Sequence, residues 1–123
     1  MKYEFKCIVT EITTGTPERI FVYTMKTNKG EELKLELPER IVKKLPEGII
    51  AQGSEALLII STDEINVEKW DLVMTGVVYL KKREDNVFKT FISIGGLILR
   101  IFTPYELDLQ LLQKVNIGVK GIK

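Results

Sequence analysis

Residues 87–102 have the sequence VFKTFISIGGLILRIF, which is two apolar runs separated by a pair of glycines. The runs 87–94 and 97–102 are rich in aromatic and β-branched residues, as strands are. Gly95 and Gly96 suit a two-residue turn of the primed type, because both central positions of a type I′ turn need positive φ. This stretch therefore predicts an antiparallel β-hairpin.

The period-two pattern continues on both sides of this hairpin. In residues 3–9 the apolar side chains alternate with charged ones, which places them on one face of a strand. Further strands are predicted for residues 19–27, 31–37, 56–61, 72–80 and 115–119. Residues 38–45 are the one helical candidate, since Pro38 suits a first helical turn and the apolar residues after it share a face.

Short strands at hairpin spacing, with one short helix, predict an all-β fold. We expect an antiparallel β-barrel of the OB-fold-like type, in one domain covering residues 1–123. Gly76 lies inside the apolar strand at 72–80 and marks a bend or a close approach of another backbone. Residues 81–86 are expected to form a polar connection, while 105–113 is either a loop or a short helical turn.

Composition limits the classes of function. The chain has 18 basic and 17 acidic residues and a net charge of +1. A free nucleic-acid-binding protein usually has a strong basic excess, because phosphate contacts supply most of the affinity. Cys7 is the only cysteine, so no intramolecular disulfide forms, which is compatible with a cytoplasmic location. We expect no signal peptide and no membrane-spanning segment, since residues 1–10 alternate charged and apolar side chains and no apolar run is long enough.

The sequence offers no residues for catalysis. Histidine is absent, which removes the commonest general base and the commonest metal ligand. One cysteine builds no zinc site, and no phosphate-binding glycine loop occurs. We therefore predict no catalytic residue, no metal and no cofactor. Three acidic pairs are expected to be solvated charges in turns or at strand ends: Glu31-Glu32, Asp63-Glu64 and Glu84-Asp85.

Lys81, Lys82 and Arg83 are the best candidates for nucleic-acid contact. OB-folds bind single strands by stacking bases on aromatic side chains beside a basic groove. However, Glu84 and Asp85 follow the basic residues directly and weaken their field. Aromatic residues in strands more often pack against neighbours than stack on bases.

Trp70 and Tyr79 each allow two interpretations. Trp70 precedes the apolar strand at 72–80 and either packs on the core or anchors a protein interface, where tryptophan is enriched. Tyr79 lies inside the same strand, and the sequence does not separate a core role from an interface role. Tyr105, after Pro104, raises the same question, with packing at the surface favoured.

Two segments carry a resemblance to a known family. They are residues 70–79, WDLVMTGVVY, and residues 93–101, SIGGLILRI. In this order they resemble subunit 8 of the archaeal and eukaryotic RNA polymerases, a family with a Val-Met-x-Gly-x-Val-Tyr strand followed by a Gly-Gly-Leu-Leu-Met-Arg-Leu segment. The connection at 38–53 is short, whereas eukaryotic members have a longer acidic loop there, so the resemblance favours an archaeal member.

The resemblance implies an OB-type barrel that binds the largest polymerase subunit and supplies no catalytic residue, with polymerase activity belonging to the assembly. It implies a docking surface that includes the glycine turn. The partner-binding candidates are Gly95, Gly96, Leu97, Ile98, Leu99, Arg100, Trp70 and Tyr79. Direct contact with nucleic acid is not expected, because the net charge is near zero and acidic residues follow the basic triplet.

Two other functions stay open from the sequence. The main alternative is a free-standing OB-fold protein that binds single-stranded nucleic acid through Lys81, Lys82 and Arg83. The other is a small enzyme that uses carboxylates alone, such as Asp63 and Asp85, although no motif recommends it.

Overall fold

The computed structural model describes residues 1–15, 19–46 and 50–122, and it is a closed barrel of eight antiparallel strands. Around the barrel the strands lie in the order β1-β2-β3-β7-β6-β5-β8-β4. The strands are β1 Lys2–Gly15, β2 Ile20–Lys26, β3 Glu32–Pro38, β4 Glu55–Ser61, β5 Leu72–Glu84, β6 Val87–Ile94, β7 Leu97–Thr103 and β8 Lys114–Ile122. The predicted all-β antiparallel barrel is confirmed.

The helix is shorter than the sequence indicated. It covers only Glu39–Val42, and Pro38 is the last residue of β3. Pro38 provides no side-chain cap, and a single turn has too few hydrogen bonds to extend itself without tertiary support. A 3-10 turn at Val67–Lys69 precedes β5.

The two long strands close the barrel because each pairs with two neighbours along different parts of its length. In β1, residues 2–8 pair with β4 and residues 8–15 pair with β2, with a register shift between Val9 and Glu11. In β5, residues 72–77 pair with β8 and residues 77–84 pair with β6, with a register shift between Val78 and Leu80. Such bulges bend a strand and increase its twist. Each long strand therefore turns a corner of the barrel.

The prediction of a polar connection at 81–86 is wrong for residues 81–84. β5 continues to Glu84, and the turn consists of Asp85 and Asn86 alone. Asp85 has a φ of +54°, as such a tight turn requires. The strand was hidden in the sequence because residues 81–84 are all charged and therefore show no alternation of apolar and polar side chains.

The core consists of the inward-facing side chains of all eight strands. Alternate residues of each strand point inward, as in β3, where Leu33, Leu35 and Leu37 are buried. Two leucines of the β7–β8 connection, Leu107 and Leu109, are also buried and belong to the same core.

Glu31 was expected to be a solvated charge, and this is wrong. It is 5% exposed, and its carboxylate accepts hydrogen bonds from the hydroxyls of Tyr105 and, at 2.8 Å, Thr27. Burial and the Glu31 carboxylate raise the pKa of Tyr105, so the phenol stays protonated and able to donate. These bonds join the β2–β3 turn to the β7–β8 connection.

Gly76 is a position of close approach, as its place in the strand predicted. A Cβ there would lie 2.6 Å from Ile92 Cγ2 and 2.8 Å from the backbone oxygen of Ser93. The isoleucine can rotate away, but the backbone of β6 cannot move without breaking its ladder.

We expect Gly76→Ala to lower the free energy of unfolding by about 1–3 kcal/mol, the usual cost of overpacking. Urea denaturation followed by circular dichroism measures the change. Thr75→Ala, at the exposed neighbouring position, is the control and should change stability far less. Equal stability of Gly76→Ala and the wild type would contradict the close approach.

Cys7 is fully buried on β1, and its thiol faces the oxygen of Phe5 at 3.5 Å. Burial, and secondly the negative charge of Glu31, raise the pKa of this thiol from 9.0 to about 12. Because the unfolded thiol ionises near pH 9 and the folded thiol does not, the unfolded state binds fewer protons above that pH. The free energy of unfolding therefore falls as pH rises from 9 toward 12.

We expect the wild type to lose about 1.4 kcal/mol more than Cys7→Ala for each pH unit in this window. Urea denaturation of both proteins at pH 8 and pH 10 gives the comparison. Cys7→Ala lacks the thiol, so other titrating groups contribute equally to both. Parallel losses in the two proteins would show that the thiol is not held neutral.

Candidate protein-docking surface

The β6–β7 turn has the geometry that its two glycines predicted. Gly95 and Gly96 have φ values of +52° and +93°, so both lie in the left-handed region that a type I′ turn requires. A Cβ built at either position meets no atom within 4 Å. The backbone φ, and not crowding inside the chain, therefore favours glycine here, and the turn is open to a partner.

Arg100 lies on the outer face of β7 and is held flat against the barrel. Its guanidinium Nη1 is 3.0 Å from Oε2 of Glu36 on β3, and its Cζ lies 5.7 Å from the ring centroid of Phe91 on β6. The second oxygen of Glu36 accepts the backbone N–H of Ile98 at 2.9 Å. Both carboxylate oxygens of Glu36 are thus used, and the arginine is fixed between an acid and an aromatic ring.

Three aromatic side chains cross this outer face in a line. Tyr79 on β5 is 6.3 Å from Phe91 between ring centroids, and Phe91 is 6.0 Å from Phe102 on β7 in an edge-to-face arrangement. Tyr79 lies at the bulge of β5 and is 40% exposed. We call Tyr79, Phe91, Ile98 and Arg100, together with the Gly95-Gly96 turn, the hairpin surface.

The predicted partner-binding residues do not all lie on this surface. Leu99 points into the barrel and is fully buried, because it alternates with the outward Ile98 and Arg100. It is therefore a core residue and accessible to no partner. Leu97 is half-buried and packs against the core.

Trp70 lies on another part of the barrel. A Cβ at Gly118 of β8 would be 2.6 Å from Trp70 Cδ2, so the indole covers the outside of β8. The ammonium of Lys120 lies 5.6 Å from its ring centroid. Gly118 pairs with Val73, six residues before Tyr79, and six strand residues span roughly 20 Å. Trp70 therefore packs on the barrel exterior and does not join the hairpin surface.

The family model for RpbG, a subunit of DNA-directed RNA polymerase, matches residues 2–121. The chain belongs to this family of polymerase subunits. The predicted relationship to an RNA polymerase subunit is confirmed, and with it a multi-subunit assembly as the partner.

No curated protein matches this sequence. Among solved structures, the cytoplasmic molybdate-binding protein ModG, in a crystal form with molybdate bound, is 16% identical over 96% of this chain and 89% of that chain. Its TM-score is 0.37, which is too low to support an argument about this polymerase subunit.

The three basic residues that the sequence offered for nucleic acid, Lys81, Lys82 and Arg83, each have an acceptor in this polymerase subunit. Lys81 Nζ is 3.1 Å from Glu106 Oε2, and Lys82 Nζ is 2.9 Å from Glu84 Oε1. Arg83 donates to the backbone oxygen of Asp85 at 3.2 Å. Hydrogen bonds from Lys82 and Lys89 lower the pKa of Glu84, which keeps this acid charged beside them. Glu84 and Glu106 thus offset part of the positive charge of this group.

Within residues 1–15, 19–46 and 50–122, no group of three or more Asp, Glu, Cys or His side chains is arranged to hold a metal ion. In the same residues no helix is long and apolar enough to cross a membrane.

Leu111 and Leu112 are exposed residues that the sequence analysis did not single out. They form the tip of a turn before β8, and they are 58% and 79% exposed. Two adjacent leucines flanked by Gln110 and Gln113 were the available signal in the sequence.

We expect Lys82→Ala with Arg83→Ala to leave binding of a labelled single-stranded oligonucleotide unchanged, because both cations already have acceptors. Fluorescence anisotropy at low and physiological salt is the measurement. Lys29→Ala with Lys34→Ala is the control that removes the same charge elsewhere. A salt-dependent loss confined to the first variant would contradict this expectation and favour a nucleic-acid site.

Proposed function

We propose that this chain is a non-catalytic structural subunit of an archaeal DNA-directed RNA polymerase, and that it docks on the largest subunit through the hairpin surface. Its membership of the RpbG family supports the polymerase role. The short connection after β3 supports the archaeal type. The absence of histidine and the paired state of the basic residues fit a subunit that leaves catalysis to its partners.

The observation that carries the docking proposal is Arg100 held between Glu36 and Phe91. Aromatic residues and arginine are enriched in protein interfaces, whereas lysine and glutamate are depleted. A preordered guanidinium loses little side-chain entropy on binding, and its remaining donors can form a planar pair with a partner's carboxylate. The neighbouring glycine turn lets a partner backbone approach without meeting side chains.

The hairpin surface also suits partial burial by a partner. Tyr79, Phe91 and Ile98 expose apolar atoms on the outside of a barrel whose own core is complete. Covering them with another protein removes apolar area from water at about 25 cal/mol per Å². Such a contact resists high salt, unlike one made through surface charges.

We expect Ile98→Ala with Arg100→Ala to weaken binding to the isolated largest subunit at least tenfold, which corresponds to about 1.4 kcal/mol. Isothermal titration calorimetry with the purified largest subunit gives the affinity. Val87→Ala is the control, because Val87 is 40% exposed on β6 but lies away from the glycine turn. Wild-type affinity in the double variant would rule out the hairpin surface.

Purification of the tagged chain from its native cells in high salt tests the role itself. Recovery of the large polymerase subunits is expected. Recovery of the chain alone, or with nucleic acid that is lost on salt washing, would favour the alternative function, a free-standing single-stranded nucleic-acid-binding protein. The pairing of Lys81 with Glu106 and of Lys82 with Glu84 makes that alternative the weaker one.

A further inference from the structure

The turn before β8 holds two leucines against the side of β5. The N–H of Leu112 donates to the oxygen of Val78 at 2.6 Å, and the N–H of Val78 donates to the oxygen of Gln113 at 3.0 Å. The turn therefore sits beside Val77 and Tyr79, which are themselves 38% and 40% exposed. We call Val77, Tyr79, Leu111 and Leu112 the leucine patch. It contains four of the nine large apolar residues that are exposed in the described part of the chain.

Leu112 has a backbone conformation that leucine rarely adopts. Its φ is +67°, in the left-handed region where a residue with a Cβ is disfavoured. One residue of β5, Val78, bonds both Leu112 and Gln113, which is the arrangement of a bulge whose first residue is normally glycine. A bulky apolar side chain thus stands at a strained position, fully in solvent, where glycine would fit without strain.

The turn is also rigid. The N–H of Gln113 donates to the oxygen of Gln110 at 3.1 Å, and the N–H of Gln110 donates to the side-chain oxygen of Gln113 at 2.9 Å. Together with the two bonds to Val78, these contacts fix the direction of both leucines before any partner arrives. A preordered apolar projection loses little entropy on binding.

The charge beside the patch indicates the chemistry of the partner. Lys114 pairs with Val77 in the β5–β8 register and is exposed. Over the ranges that the structure describes, Lys114 has no carboxylate within 4.0 Å, whereas Lys81, Lys82 and Lys89 each have one. The leucine patch therefore lies next to a positive charge that no carboxylate of the described residues neutralises.

We propose that the leucine patch inserts into an apolar groove on a neighbouring subunit of the polymerase, and that a carboxylate at the rim of this groove pairs with Lys114. The partner class rests on the proposed function, and the patch shares Tyr79 with the hairpin surface, so the two contacts are continuous. A second copy of this chain fits less well, because a two-fold contact brings the same cation from both copies to one interface.

Leu112→Gly separates binding from folding. Glycine keeps the left-handed backbone and removes only the apolar projection, so the midpoint of thermal unfolding should stay the same or rise. The dissociation constant of the labelled chain for polymerase purified without this subunit should increase at least tenfold. Asparagine tolerates the same left-handed backbone and is polar, so Leu112→Asn should raise the dissociation constant and keep the unfolding midpoint as Leu112→Gly does.

Two further variants complete the test. Lys114→Glu should weaken binding, and more strongly at low salt than at high salt, since it replaces an attraction by a repulsion. Val67→Gly removes an apolar side chain that is 64% exposed in the 3-10 turn before β5, and should bind as the wild type does. All variants are measured by fluorescence anisotropy, with unfolding midpoints from circular dichroism.

The outcomes distinguish this inference from the proposed function. Wild-type affinity in Leu112→Gly and Leu112→Asn overturns the leucine patch, while a loss in Ile98→Ala with Arg100→Ala still supports the hairpin surface. If the Leu112 variants lose affinity while Ile98→Ala with Arg100→Ala binds as the wild type does, the leucine patch is supported and the hairpin surface is rejected. A lower unfolding midpoint in both Leu112 variants would show a structural role instead. A wild-type dimer in light scattering that Leu112→Gly dissociates, or no binding of the wild type to the polymerase, also overturns the inference.

Discussion

Closure of the barrel rests on the two long strands, β1 and β5. Each of them pairs with one neighbour along its first part and with another along its second part, with a bulge just after the change of partner, and every strand of the barrel has two partners. A closed barrel offers no long free edge to which another chain could add a strand. A partner can therefore be recognised only by side chains and turns on the outer surface of the barrel. The bulge in β5 is at the same time the point where Tyr79 leaves the regular ladder and reaches solvent.

This constraint links the two proposed contacts. Tyr79 lies between the aromatic side chains of β6 and β7 on one side and the turn that carries Leu112 on the other. Both groups of side chains are ordered before binding, the first by the bonds of Glu36 to Ile98 and Arg100, and the second by the bonds of the turn to Val78. In the proposed contacts, such preordered side chains reduce the entropy that is lost on assembly.

Period-two alternation predicted most strands of the barrel, because one face of each strand is buried and the other is solvated. It failed where that contrast is missing. Residues 81–84 are charged at every position, and so they resembled a connection. Glu31 resembled a turn charge because its hydroxyl partners, Thr27 and Tyr105, include one that lies 74 residues away.

The sequence by itself determined the strands, the glycine turn and the family, because these depend on local alternation, on the φ that glycine permits and on two short motifs. Only the tertiary structure decided which neighbours share a surface. It placed Leu99 in the core and Ile98 outside, placed Trp70 on the outer face of β8, and brought the backbone of Leu112 to Val78. The reason is that strand pairing joins residues far apart in the chain, and a bulge changes which side chains face outward beyond it.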